Sequence, residues 1–252
     1  MILHLSDLHF GTERPECLVA IQEFCQQQQP EAVVVSGDLT QRARYFEFFH
    51  CKQFLDSLNC PYLVVPGNHD IPLYHVWNRI FNPFSRYQLF FGQMEMTLET
   101  EHFYLIGVNS IRRRYHTRGH ISLEQIQQID QILKQAPAHK LKVIAAHQPF
   151  YADPDDLHGI KDCPVLGRMA LEVWSQSGLS ALLHGHLHQP AVYDLNDLYQ
   201  LGVAHPVLDI HAGTATSYRL HHAASNSFNL IDAQANVRHF QFNRHLAQFE
   251  ML

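Results

Sequence analysis

The feature that most constrains this chain is a pairing that recurs five times: a short apolar run, then at once a polar cluster. Ile2-Leu3-His4-Leu5 is followed by Asp7-Leu8-His9, and Ala32-Val33-Val34-Val35 by Gly37-Asp38. Tyr62-Leu63-Val64-Val65 leads into Gly67-Asn68-His69-Asp70, Lys142 to Ala146 into His147, and Leu179 to Leu183 into Gly185-His186-Leu187-His188. Apolar runs this short read as strands buried on both faces, as in parallel sheets. Helical patterns lie between them. One starts near Pro15, with proline in its first turn and Leu18, Ile21, Phe24 and Cys25 on one face. Another covers Tyr45 to Leu58, and Ser122-Leu123-Glu124-Gln125 is a capping box opening a third helix to about Gln135. Phe103 to Val108 adds a strand. Beyond Val207 the pattern is β-rich without helices: Val207 to His211, Ser227 to Ile231 and Val237 to Phe242. The order predicts a layered α/β domain with two packed sheets, undivided by any linker or repeat.

Ligands of open α/β sheets bind beyond the carboxyl ends of the strands, so five polar strand ends aim at one site. Carboxylate, amide and imidazole groups without thiolates suit a metal ion. Gly37, Gly67 and Gly185 allow sharp turns and close backbone approach there. Composition agrees in one respect: 20 histidines outnumber the 18 lysines and arginines together. With 24 acidic residues the net charge is -6, which argues against a surface built to grip a nucleic-acid backbone. The 46% hydrophobic content provides ample core and excludes disorder. The five cysteines (Cys17, Cys25, Cys51, Cys60, Cys163) form no Cys-x-x-Cys pair and read as reduced thiols. The first residues, Met1 to Asp7, carry no basic leader, and no apolar run is long enough to cross a membrane. A cytoplasmic protein is the expectation.

Taken in order, Asp-x-His, Gly-Asp, Gly-Asn-His-Asp, a lone His and Gly-His-x-His resemble the signature of the calcineurin-like metallophosphoesterases, over residues 7 to 188. Within that superfamily the chain is similar to compact bacterial class III cyclic-nucleotide and glycerophosphodiester phosphodiesterases. The Ser217 to Ile231 region, with Asn226-Ser227-Phe228-Asn229, also resembles that subgroup. The resemblance implies an αββα sandwich of two mixed sheets flanked by helices. It implies two divalent ions, of manganese, iron, zinc or similar. Asp7, His9, Asp38 and His188 would hold the first, and Asp38, Asn68, His147 and His186 the second. Asp38 would bridge them at roughly 3.5–4 Å, with a hydroxide between them as nucleophile. Two such ions, two aspartates and one hydroxide leave a single positive charge, which matches the single negative charge of a phosphodiester.

His69 is then the candidate for protonating the leaving alkoxide, and Asp70 for holding its imidazole or the turn. Arg42 sits where the family's protein phosphatases place a phosphate-contacting arginine, but Gln41, Ala43 and the closing Asp70 depart from their pattern. Arg112, Arg113 and Arg114, with Arg118, form a local basic cluster that reads equally as a phosphate-steering rim or a solvated loop. His4 and His184 are expected as core or supporting residues, and His221, His222 and the other scattered histidines at the surface. The aromatics of the 71–100 segment (Tyr74, Trp77, Phe81, Phe84, Tyr87, Phe90, Phe91), with Arg79 and Arg86 among them, are expected to pack as core with the edge of a cap. The whole of 1–252 is expected to be one domain, ending in the strands of 207–252.

The expected substrate is a small phosphodiester, with no extended nucleic acid, no membrane span and the possibility of a homo-oligomer. The rivals are a nuclease, which should carry a basic track, and a lipid A precursor (UDP-diacylglucosamine) pyrophosphatase, which has arginine at the position of His69. A catalytically silent scaffold is the remaining alternative, and such proteins lose ligands that are all present here.

Overall fold

The structure, a computed structural model, describes residues 1–73, 76–220 and 225–252, with the backbone alone at 76, 78 and 79. Tyr74, His221, His222 and the Arg79 side chain therefore lie outside the described residues. The strands are β1 (Ile2–Leu5), β2 (Ala32–Val35), β3 (Tyr62–Val64), β4 (Thr97–Glu99), β5 (Phe103–Gly107), β6 (Leu141–Ala145), β7 (Leu179–His184), β8 (Ala191–Asp194), β9 (Leu208–His211), β10 (Ser227–Ile231), β11 (Val237–Asn243) and β12 (Gln248–Met251). The helices are α1 (Pro15–Gln28), α2 (Tyr45–Ser57), α3 (Val76–Phe81), α4 (Ser85–Phe91), α5 (Leu123–Gln135), α6 (Leu157–Asp162), α7 (Gly167–Gln176) and α8 (Leu195–Tyr199).

The strands form two six-stranded mixed sheets, ordered β12-β11-β10-β1-β2-β3 and β4-β5-β6-β7-β9-β8. In the first, β1, β2 and β3 are parallel and β10 runs antiparallel to β1. In the second, β5, β6, β7 and β9 are parallel, with β4 and β8 antiparallel at the edges. Side chains alternate across a strand, and this period sorts the core into three layers. Ile2, Val34, Leu63 and Val65 meet Phe103, Val143, Ala181 and Ile210 between the sheets. Leu3, Leu5, Val33 and Val35 face outward under Ile21 and Phe24 of α1 and Phe48 and Leu55 of α2. Ile106, Ile144 and Leu182 face the other way, under Ile126 and Leu133 of α5 and Leu171 and Trp174 of α7. This is the αββα sandwich expected, and it leaves β1, β2, β3, β6 and β7 free to project their carboxyl-end loops together.

The sequence reading matched the buried strands to within about a residue and missed three: β4, β8 and β12. Each is an edge strand, paired on one side only. Such strands need no continuous apolar run. It also missed α7, which opens on Gly167 after Leu166 in the left-handed region, with no side-chain cap to mark it. The aromatic segment divides differently from the expectation. Tyr87 is fully buried and its hydroxyl donates to the Val64 carbonyl at 2.9 Å. Trp77 and Phe81 are not core: they are 76% and 74% exposed and stack on each other at 5.8 Å. Phe84 lies beyond α3, so the three residues do not share one helical face.

Candidate metal centre

Backbone strain marks the strand-end loops. Asp7, His9, Asp38, His186 and His188 all have φ between 48° and 65°. Non-glycine residues rarely adopt this region, although aspartate and histidine tolerate it best. Backbone bonds stitch the loops together: Asp7 N to the Gly37 carbonyl at 3.1 Å, His9 N to the Asp38 carbonyl at 2.9 Å, and Gly185 N to the His147 carbonyl at 3.2 Å. Three glycines of these loops are sterically required: a Cβ on Gly37, whose φ is 99°, would overlap the His147 ring. A Cβ on Gly67 would overlap Asp38, and one on Gly185 would overlap Ser6 and Asp7.

The loops converge on two groups of donor atoms that share Asp38. In the first, His188 Nε2 lies 3.2 Å from Asp7 Oδ1. His9 Nε2 lies 3.7 Å from both Asp7 Oδ1 and Asp38 Oδ2. In the second, His147 Nε2 lies 3.4 Å from Asp38 Oδ1, 3.0 Å from Asn68 Oδ1 and 3.2 Å from His186 Nδ1. Asp7, His9, Asp38 and His147 are almost wholly buried.

Hydrogen positions follow from the partners. His147 Nδ1 donates to the Ser36 carbonyl at 2.9 Å, and His186 Nε2 donates to Asp162 at 2.9 Å. Burial lowers the His147 pKa, with Asp38 opposing, so its ring is neutral and Nε2 carries a lone pair. His147 Nε2 thus turns its lone pair toward His186 Nδ1 and the oxygens of Asn68 and Asp38. Asp7 Oδ1 is a buried carboxylate oxygen that faces His188 Nε2 at 3.2 Å and His9 Nε2 at 3.7 Å. Burial takes the His9 pKa down to about 4 against the pull of Asp38 and Asp7. Desolvation opposes ionisation of Asp7 and Asp38, yet the surrounding imidazoles hold both carboxyls below the usual range. Imidazole nitrogens and ionised carboxylates converging in this way are the donor set that a divalent cation takes. The residues fit two ions.

His69 stands beside both groups, edge-on to the His9 ring at 4.9 Å. Its Nδ1 bonds to the Gln41 carbonyl at 2.9 Å, and its backbone N–H donates to Asp38 Oδ1 at 2.9 Å. Asp38 raises its pKa, with burial opposing. Asp70 does not hold the His69 ring. Its carboxylate accepts from the backbone of Leu39, Thr40 and Gly67 and from the Thr40 hydroxyl, which locks the β3 loop to the β2 loop. Burial raises its pKa to about 7.

A cavity of about 90 Å³ opens over the donors, lined by His9, Gln41, His69, His188 and Arg219. None of the four arginines expected at the substrate lines it. Arg42 donates its backbone N–H to Glu47 at 2.8 Å. The Arg112 guanidinium donates to the Asn109 and Ile111 carbonyls and to Gln125, and Arg113 donates to the Ile80 carbonyl. Arg112 and Arg113 line a separate cleft of about 520 Å³ with Glu95 and Gln125. Arg114 is exposed near Tyr115 and His120.

Sequence reading missed Arg219, Asp162 and the backbone of Gln41. Asp162 carries no motif, and Arg219 follows the Ser217 stretch whose resemblance was noted. His4 is buried as expected and bonds Ser36 at 2.9 Å. His184 is also buried, but His211, expected at the surface, is buried with it. Among the described residues no helix is long and apolar enough to cross a membrane.

Comparison with known proteins places this arrangement in context. A family model described as calcineurin-like phosphoesterase matches residues 1–190. A glycerophosphodiester phosphodiesterase, GpdQ, of Enterobacter lignolyticus is 33% identical over 81 residues, 28% of this chain and 29% of the relative. A probable GpdQ of Arcobacter nitrofigilis is 25% identical over 186 residues, 71% of this chain. This chain spans 64% of that relative, again less than two thirds of its length. A probable cyclic nucleotide phosphodiesterase of Pseudoalteromonas is 25% identical over 231 residues, 86% of this chain and 78% of the relative. Among solved structures, a purple acid phosphatase from yellow lupin seeds superposes with TM-score 0.67 at 13% identity, over 99% of this chain and 52% of the other. A dimetal phosphatase from Danio rerio gives 0.56 at 11% identity, over 96% and 92%. At such identities the two structures establish the fold.

Proposed function

The chain belongs to the calcineurin-like phosphoesterase family, and on that premise we propose that it is a two-metal phosphodiesterase for a small diester of the cyclic-nucleotide or glycerophosphodiester type. The observation that carries this reading is the convergence of imidazole nitrogens and carboxylate oxygens from separate strand-end loops around the shared Asp38. Asp7, His9, Asp38 and His188 would hold one ion, and Asp38, Asn68, His147 and His186 the other. When bound, the ions supply Lewis acidity that polarises the phosphoryl oxygens and makes water a competent nucleophile.

The chain's own groups do the rest. His69 keeps Nδ1 on the Gln41 carbonyl, which directs Nε2 to the reacting end. Its raised pKa suits a proton donor to the leaving alkoxide. Arg219 brings a guanidinium to the cavity wall for the phosphate charge. The cavity of about 90 Å³ is small beside the several hundred Å³ that enclose a whole small-molecule ligand. This supports a site that grips the phosphoryl end and leaves the alcohol groups outside. The relatives named as phosphodiesterases support a diester over a monoester.

Manganese-loaded protein should hydrolyse bis(p-nitrophenyl) phosphate faster than p-nitrophenyl phosphate, and a chelator should abolish both activities. His69→Ala should lower kcat on an alkyl diester by roughly 10²–10⁴-fold and far less on a p-nitrophenyl ester, whose leaving group needs no proton. Faster monoester hydrolysis would overturn the diester assignment, and full activity after chelation would overturn the metal chemistry.

A further inference from the structure

Three of the four imidazoles in the two donor groups have their outer ring nitrogen held, and the holders differ in charge. His147 Nδ1 donates to the Ser36 carbonyl and His188 Nδ1 bonds the Thr214 hydroxyl at 2.6 Å, both neutral partners. His186 Nε2 donates at 2.9 Å to the carboxylate of Asp162. The side chains are little exposed, 8% for His186 and 17% for Asp162. Asp162 ends α6 and is itself held: the Thr117 hydroxyl donates to its other oxygen, and Gly119 N–H donates to its backbone carbonyl at 2.9 Å.

This carboxylate falls where the ligand set is short of charge. The first group has Asp7 and a share of Asp38. The second has only its share of Asp38 and the neutral Asn68. A carboxylate that accepts the N–H of a ligating imidazole fixes its tautomer, makes the other nitrogen more basic and adds negative charge one bond further out. With Nε2–H committed to Asp162, the only lone pair left on His186 is at Nδ1, which faces His147 Nε2 at 3.2 Å.

We propose that Asp162 is a positioning residue that sets the affinity of the second metal ion, compensating through His186 for the missing charge at Asn68. The inference rests on the two-metal reading above. Its test counts ions, so it can fail while that reading stands.

Chelator-stripped wild type, Asp162→Asn and Asp162→Glu are titrated calorimetrically with Mn²⁺, and bound manganese per chain is counted after gel filtration. Wild type should take two ions. Asp162→Asn should bind the first with unchanged affinity and the second about 10–100-fold more weakly. Asp162→Glu, which keeps the charge but shifts it by a methylene, should fall between them. The stripped Asn variant should melt where stripped wild type does. Both affinities within about threefold of wild type would overturn the proposal, as would equal weakening of both ions. If Asp162→Asn does not fold, Asp162→Glu decides: selective weakening of the second ion supports the proposal, and equal or no weakening overturns it. A wild-type chain that binds fewer than two ions overturns both the two-metal reading and this inference.

Discussion

Asp7, His9, Asp38, His147 and His188 form one knot of histidine and aspartate at the strand ends, buried except for the partly exposed His188, and His184, Asp209 and His211 form another, wholly buried, on β7 and β9. The residue types are the same and the wiring is opposite. Asp209 Oδ1 accepts from His184 Nε2 at 2.7 Å, and Oδ2 accepts from His211 Nε2 at 3.2 Å and Tyr151 N–H at 3.1 Å. Each carboxylate oxygen is matched by a donor, and the knot's one orphan is His184 Nδ1, the ring nitrogen turned away from Asp209. In the first knot the outer nitrogens of His147 and His188 are occupied, and the inner ones face carboxylate oxygens, His147 Nε2 that of Asp38 and His188 Nε2 that of Asp7. A burial map alone would not separate the two. What separates them is where the protons are: a closed hydrogen-bond network is structural, and converging lone pairs call for a cation.

The comparison is most sharply broken by parallel substitutions. Asp7→Asn should cost at least about 10³-fold in diester hydrolysis and one bound ion, because a ligating charge is lost. Asp209→Asn should keep both ions. Loss of an ion in Asp209→Asn, measured as metal per chain, would erase the distinction.

Stability of the metal-free protein should run the other way. Asp209→Ala strands the donors of His184, His211 and Tyr151, at a cost of about 2–4 kcal/mol in urea unfolding. Asp7→Asn should cost less there, since the amide oxygen can still accept from His186 N–H and only the charge facing His188 is lost. An equal loss in both variants would mean that the first knot is also structural.

A comparable effect, spread over a wider pH range, is expected in acid. Burial, aided by His184 and opposed by Asp209, takes the His211 pKa from 6.5 down to about 4. Between those values the unfolded chain binds a proton at His211 that the folded chain refuses. Stability from this group is therefore full above pH 6.5 and is lost as pH falls toward 4, by up to about 1.4 kcal/mol per pH unit. His211→Gln should flatten that part of the profile for stripped protein, and an unchanged slope would remove His211 as its source.

The buried strands were legible because both of their faces must be apolar, and the site was legible because its residues sit in the turns that follow those strands. The strands β4, β8 and β12 left no such trace, since their side chains are mostly exposed or half-buried, unlike those of β3, which is also an edge strand. Trp77 and Phe81 had the spacing of a core helix and lie exposed, because periodicity records that residues share a face and not what covers it. The arginines at 112–114 were conspicuous as a run, yet Arg112 is spent on backbone carbonyls and Gln125. Arg219, a single residue in the Ser217 to Ile231 region, lines the cavity instead.

By itself the sequence determined the αββα layering, the family and the strand ends that carry the donors, because these depend on local patterning and on motifs of fixed spacing. Only the tertiary structure decided which nitrogen of each imidazole faces inward, that Asp70 braces two loops instead of His69, and that Asp162 reaches His186 from 24 positions away. Those outcomes depend on which acceptor each N–H meets after the sheets pack, and such distances are not encoded in any local run of residues.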